Sequence, residues 1–199
     1  MKKLINIFLF MSLSVVADNE IYVNQTGNSA TIDLEQQGGS NLIGGTSAVS
    51  GTMTALDLDG VSMILDINQI GASNKFRSDA IDGDNFTGFF EFTGDSNVFD
   101  ILVDSTGLID SDYINMNINV TGSSNTFDLA VAEDDDASYL DLDWIVTGGS
   151  NEFDFDIDYA NAINYVDVNG SSNTLNFSGS GYGGTTSADS GYFYLDLDG

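Results

Sequence analysis

From Asn151 to Tyr159 the chain alternates strictly, with Phe153, Phe155, Ile157 and Tyr159 on one parity and Glu152, Asp154, Asp156 and Asp158 on the other. A period of two predicts a half-buried β-strand, because successive side chains of a strand point to opposite faces. The same parity runs through Leu140, Leu142, Trp144 and Val146. It also runs through Met116, Ile118, Val120, Asn125, Phe127, Leu129 and Val131. Helix-favouring patterns are missing.

One motif separates these strands. It occurs as Gln36-Gln37-Gly38-Gly39-Ser40-Asn41, Gln69-Ile70-Gly71-Ala72-Ser73-Asn74 and Phe92-Thr93-Gly94-Asp95-Ser96-Asn97. It continues as Val120-Thr121-Gly122-Ser123-Ser124-Asn125, Val146-Thr147-Gly148-Gly149-Ser150-Asn151 and Val168-Asn169-Gly170-Ser171-Ser172-Asn173. Weaker copies stand at Gln25-Thr26-Gly27 and Leu58-Asp59-Gly60-Val61-Ser62.

The spacings of Gly27, Gly38, Gly60 and Gly71 define a unit of 11 residues, one strand plus one turn, and two units make a coil of 22. One edge then runs Gly27, position 49, Gly71, Gly94, Gly122, Gly148 and Gly170. The opposite edge collects Gly83, Gly107, Asp134 to Asp136, Asn161 and Gly183-Gly184, in varied surroundings. A constant edge facing a variable one is the mark of a repeat array that takes its insertions on one side.

The pattern predicts an all-β fold, a β-solenoid of about seven strand-turn-strand coils with parallel stacking between coils. Phe99, Phe127 and Phe153 should form one column, and Val120, Val146 and Val168 another. In such a stack the motif asparagines, Asn41, Asn74, Asn97, Asn125, Asn151 and Asn173, lie inward and are expected to pass their side-chain amides from one to the next at strand spacing. The turn glycines supply a positive φ, and the serines are expected to bond local backbone.

At Gln36-x-Gly38-x-x-Asn41 and Gln69-x-Gly71-x-x-Asn74 the chain resembles the curlin repeat, which is built on Gln-x-Gly-x-x-Asn with a coil of similar length. Beyond residue 90 the Gln position becomes Phe92, Val120, Val146 and Val168, while Gly and Asn remain. The resemblance implies secretion and templated assembly of an extracellular fibre. The chain is also similar in texture to curlin-like proteins of phage, which implies the alternative of a virion or tail-fibre component.

Composition sharpens the picture. There are 31 acidic residues, 4 basic ones and neither His, Cys nor Pro. The 13 Phe and 8 Tyr distinguish this chain from a disordered acidic tail. A formal net charge of -27 disfavours nucleic acid and anionic membranes. The absence of Pro suits continuous strand pairing.

Without His or Cys, the usual general bases and activated nucleophiles are absent, which argues against an enzyme and leaves no cofactor to expect. A two-carboxylate glycosidase is disfavoured because acids recur in every coil instead of standing out as a pair. Asp57 with Asp59, Asp141 with Asp143, the trio Asp154, Asp156 and Asp158, and Asp196 with Asp198 form acidic rows that are candidates for weak divalent-cation binding, although no Ca²⁺-loop signature is present. Thr-x-Thr occurs only at Thr52-x-Thr54, too little for a regular ice-binding array.

Residues 1–17 read as a signal peptide. Lys2 and Lys3 precede the apolar run Leu4 to Val16, with small residues before Asp18. Residues 18–199 then form a single solenoid domain. Its expected partners are a further copy joined end to end or a capping domain. The final Leu195-Asp196-Leu197-Asp198-Gly199 repeats Leu56-Asp57-Leu58-Asp59-Gly60 and stops where a turn should begin, as a piece of a longer array would.

Overall fold

The computed structural model describes residues 20–44, 56–103, 113–131, 139–158, 163–180 and 192–199. The expected signal segment lies outside them. So do position 49, Gly107, Asp134 to Asp136, Asn161 and Gly183-Gly184.

Strands of one parity form sheet B: β3 (Thr31–Gln37), β6 (Ile64–Ile70), β8 (Thr87–Thr93), β10 (Ile114–Thr121), β12 (Leu140–Thr147), β14 (Ile163–Asn169) and β16 (Tyr192–Asp198). Their partners across each corner form sheet A: β1 (Glu20–Tyr22), β2 (Asn24–Thr26), β4 (Leu42–Gly44), β5 (Leu56–Asp59), β7 (Lys75–Asp82), β9 (Val98–Val103), β11 (Thr126–Val131), β13 (Glu152–Asp158) and β15 (Thr174–Ser180). Every strand pair is parallel and joins one coil to the next, as in β10 with β12 and β11 with β13. The fold is therefore a β-solenoid. Its regular part has five coils, from β6 to β15, fewer than the seven expected, because the first coils are split and β16 is a half-coil.

The core follows the alternation. Phe99 pairs with Phe127 and Phe127 with Phe153, with ring centroids 4.7 and 5.0 Å apart. Val120, Val146 and Val168 form the second expected column. Trp144 projects from sheet B and meets Phe127 edge-on at 5.4 Å and Phe155 at 4.6 Å, so the two sheets close on each other. Each such fully buried aromatic contributes about 1.5–3 kcal/mol of transfer free energy.

The N-terminal stack departs from a uniform coil of 22. Gln36 of β3 pairs with Gln69 of β6, 33 residues later. The reason lies in sheet A, where β4 and β5 share one rung: β1 pairs with β4, β2 pairs with β5, and both β4 and β5 pair with β7. Residues 45–55 fall between the two halves of that rung. The constant edge accordingly runs Gly38, Gly71, Gly94, Gly122, Gly148, Gly170. Gly27 belongs to the opposite edge, stacked with Gly60 and Gly83.

Candidate functional site

The repeating corner is the one arrangement of side chains that the sequence builds again and again, and its consequence is stacking. At Gly122 and Gly148 φ is 146° and 141°, outside the range of ordinary L-residues. These glycines do more than turn the chain. A Cβ on Gly122 would overlap the carbonyl of Gly94 one coil before, and one on Gly148 would overlap that of Gly122. Glycine is thus required for the approach of successive coils as well as for the turn.

The serines carry the second special conformation. Ser40, Ser73, Ser96, Ser124, Ser150 and Ser172 are left-handed, with φ between 59° and 62°. The amides of the first five donate to the following coil, as in Ser73 N–H to Asp95 O at 3.0 Å and Ser150 N–H to Ser171 O at 3.0 Å. Parallel pairing therefore continues around the corner instead of stopping at the strand end.

The asparagine ladder exists, but its chemistry differs from the expected amide-to-amide chain. The backbone N–H of each Asn donates to Oδ1 of the Asn one coil later: Asn41 to Asn74 at 3.0 Å, Asn74 to Asn97 at 2.8 Å and Asn97 to Asn125 at 2.8 Å. The same bond joins Asn125 to Asn151 and Asn151 to Asn173, both at 2.9 Å. The side-chain Nδ2 donates to corner glycine carbonyls, as from Asn41 to Gly38, Asn74 to Gly71, Asn151 to Gly122 and Asn173 to Gly148. The Oδ1 of each inward Asn thus accepts, in place of a strand carbonyl, the backbone N–H of the Asn one coil before it. Asn41, Asn74, Asn97, Asn125 and Asn151 are buried, and Asn173 is half-buried.

An amide-to-amide rung does occur five residues earlier, at the last inward position before the corner. Gln69 Nε2 donates to Gln36 Oε1 at 2.9 Å, and the column then continues as Phe92, Val120, Val146, Val168 and Leu197. The column changes from polar to apolar at Phe92, where the sequence leaves the Gln pattern.

The opposite edge uses the same backbone with an apolar residue in place of Asn: Gly27-Asn28-Ser29-Ala30, Gly60-Val61-Ser62-Met63 and Gly83-Asp84-Asn85-Phe86. Further along it Tyr113 and Tyr139 take the left-handed position, at φ 63° and 67°, and their rings stack at 4.7 Å. Sequence reading took Gly27 and Gly60-Val61-Ser62 for weak copies of the first motif and missed that they belong to a second one. Aligning Gly60-x-Ser62-Met63 with Gly83-x-Asn85-Phe86 would have found it.

Outward positions are dense in acid. Asp100, Asp128 and Asp154 stand in one register column, and burial together with the neighbouring Asp100, Asp154 and Asp156 raises the Asp128 carboxyl above its ordinary value. Asp143 is raised in the same way, by burial and then by Asp141 and Asp167. Arg77 meets Asp100 at 3.0 Å at a half-exposed position. Among the described residues no three acids converge in a way that would hold a metal ion.

The two ends of the described stack carry inward rows that are incompletely covered. Phe177, Phe193, Leu195 and Leu197 are exposed on β15 and β16, while Ile21, Val23, Ile32 and Leu34 are half-buried on β1, the following Val23 and β3. β15, with the sequence Thr-Leu-Asn-Phe-Ser-Gly-Ser, has no charged residue, whereas β13 beside it has four acids.

No family model, curated protein or solved structure matches the chain.

Proposed function

We propose that this is a non-catalytic structural protein, a secreted curlin-like component of an extracellular fibre or matrix that lengthens by end-to-end stacking of copies. The observation that carries this reading is the pair of incompletely covered inward rows at the two ends of the described stack. The exposed row Phe193, Leu195 and Leu197 has the parity of Ile32, Leu34 and Gln36 on β3, so β3 of a second copy could continue sheet B in register. β1 and β2 of that copy would extend sheet A over the uncharged β15. Unpaired strand edges recruit further strands unless they are blocked. Contact between two different surfaces repeats from copy to copy, and stacking along the solenoid axis extends it as a filament instead of closing a ring.

The acidic flanks support end-to-end growth over side-by-side bundling, because columns such as Asp100, Asp128 and Asp154 repel a parallel neighbour. The inventory of residues supports a non-catalytic role: a chain without His or Cys lacks the common nucleophile–base pairs.

Electron microscopy and light scattering of the purified chain test the proposal. Filaments one solenoid wide are expected, and Leu195→Asp should abolish them while leaving the β circular-dichroism spectrum intact. A monomer at all concentrations and salt levels would sink the assembly reading.

A further inference from the structure

The outer face of sheet B exposes apolar side chains at intervals along the stack, Ile64 and Ile70 on β6 and Phe89 on β8, and is richest in aromatic ones toward its end. Past β10 it carries Tyr139, Ile163, Tyr165, Tyr192 and Tyr194, all exposed. The outer positions of sheet A in the same coils hold Thr126, Asp128, Glu152, Asp154 and Asp156. A contiguous aromatic patch on one face of a highly charged protein marks a contact surface more often than chance.

Acids are set into this patch. Register places Asn117, Asp143, Tyr165 and Tyr194 in one column, with Tyr165 and Tyr194 stacked at 4.9 Å and nearly coplanar. Asp141, Asp167 and Asp196 flank it. Both cations of the described residues, Lys75 and Arg77, lie on β7 of sheet A, so this face holds no positive charge of its own. The Oδ1 of Asp143 is shielded from solvent and finds no hydrogen-bond partner among the described residues. Beside it, Tyr139, Asp141 and Ile163 line a shallow cavity of about 290 Å³, with Ile163 51% exposed.

We propose that this face of sheet B, centred on Tyr139, Asp143, Ile163 and Tyr165, docks an extended Lys/Arg-rich segment of a partner protein. Lys and Arg lay aliphatic stems on apolar surface and keep their charged heads in polar surroundings, which suits Ile163 and the tyrosines beside Asp141, Asp143 and Asp167. Guanidinium–carboxylate hydrogen bonds are charge-assisted, and the exposed Asp141 with the half-buried Asp143 and Asp167 offers carboxylates for them. A second copy of this acidic chain is repelled from the face, and a bare divalent ion finds no converging ligand set there. The centre of the site lies on β12 and β14, inside the stack, and only Tyr192, Tyr194 and Asp196 at its margin belong to β16, the strand of the proposed filament contact.

The test is fluorescence anisotropy of a fluorescein-labelled peptide of alternating Arg and Gly, titrated with the full chain below any assembling concentration at physiological salt. Asp143→Asn with Asp167→Asn should weaken binding about tenfold, and Ile163→Ser with Tyr165→Ser about fivefold or more. Asp128→Asn with Asp154→Asn, an equal charge change on sheet A, should leave it within about twofold. Circular dichroism confirms that each variant folds. Equal losses from the two acidic pairs would reduce the effect to general charge attraction and overturn the proposal. So would absence of binding, or displacement of the peptide by a stoichiometric amount of Mg²⁺.

Discussion

The backbone N–H of Asn125 donates to Oδ1 of Asn151 across the coil boundary at 2.9 Å, and this bond recurs wherever the motif is repeated. Both residues are buried, so neither end of the bond can turn to water. Removing a partner from a buried hydrogen bond costs about 1–3 kcal/mol for each group left unpaired. Asn151→Ala orphans the Asn125 N–H and the Nδ2 contact to Gly122, and should destabilise the fold by about 2–4 kcal/mol in urea unfolding. Asn151→Asp keeps the acceptor but buries a charge facing the Gly122 carbonyl, and should be worse than Ala at neutral pH. An Ala variant as stable as the parent would show that the ladder is incidental.

Two glycines with the same left-handed requirement separate conformational strain from close approach. Gly27→Ala meets strain alone, because at φ 124° its Cβ would find no atom within 4 Å. Gly122→Ala adds overlap with the Gly94 carbonyl, a backbone atom that can yield only if the coils part. The first should cost about 1–3 kcal/mol and the second should prevent cooperative folding or exceed about 4 kcal/mol. Thermal melts of both variants decide this. Equal losses would mean that the coils slide apart freely.

The Gln36–Gln69 rung interrupts a column that is otherwise apolar from Phe92 to Leu197. Gln69 Nε2 also reaches Lys75 O at 3.3 Å, while its Oε1 is buried and finds no partner among the described residues. Replacing one member of such a pair strands the other, whereas replacing both with apolar residues of similar shape is often neutral. Gln69→Leu alone should destabilise by about 1–3 kcal/mol, and adding Gln36→Leu should recover part of that loss. The coupling energy from the double-mutant cycle is the readout. Simple additivity would contradict a side-chain rung.

Much of this architecture was written into the parity of the chain. Phe99, Phe127 and Phe153, and likewise Val120, Val146 and Val168, could be placed in columns because a one-residue slip would turn the buried face outward and the recurring Gly-x-Ser-Asn turn sets the rest of the register. The inward position of Asn125 followed from the same counting. The bonds of that Asn did not, since sequence spacing says nothing of whether Nδ2 meets a neighbouring amide or a glycine carbonyl. Counting also failed at the first coils. The coil joining Gln36 to Gln69 exceeds 22 residues by 11, the length of one unit, so the spacing of glycines reads the same whether a unit forms its own strand or is inserted within a rung. Gly27 was thereby placed on the wrong edge. The tyrosine corners at Tyr113 and Tyr139 were hidden because a left-handed aromatic residue breaks the Gly, Asn or Asp rule on which turn reading depends.

The acid columns predict an unusual response to pH. Asp128 lies between Asp100 and Asp154, and burial first, then these neighbours and Asp156, raise its carboxyl above 3.8. Asp143, between Asn117 and Tyr165 with Asp141 and Asp167 beside it, is raised by burial and by those two acids. A carboxyl with a folded pKa above its unfolded value binds its proton more tightly in the folded chain, so deprotonation weakens the fold. The penalty is present in full at neutral pH and is relieved as pH falls through the raised folded value toward 3.8. Below that no further gain accrues. The melting temperature should therefore rise as pH is lowered from neutral toward 3.8, opposite to ordinary acid denaturation. Added NaCl at neutral pH should act in the same direction, since the Debye length shortens from ~30 Å at 0.01 M to ~8 Å at 0.15 M and screens the outward columns. Asp128→Asn should flatten the pH response without abolishing it, because Asp143 remains. Melts followed by circular dichroism at low and high salt give the answer. A melting temperature that falls steadily on acidification, or that ignores salt, would show that the outward acids do not oppose folding.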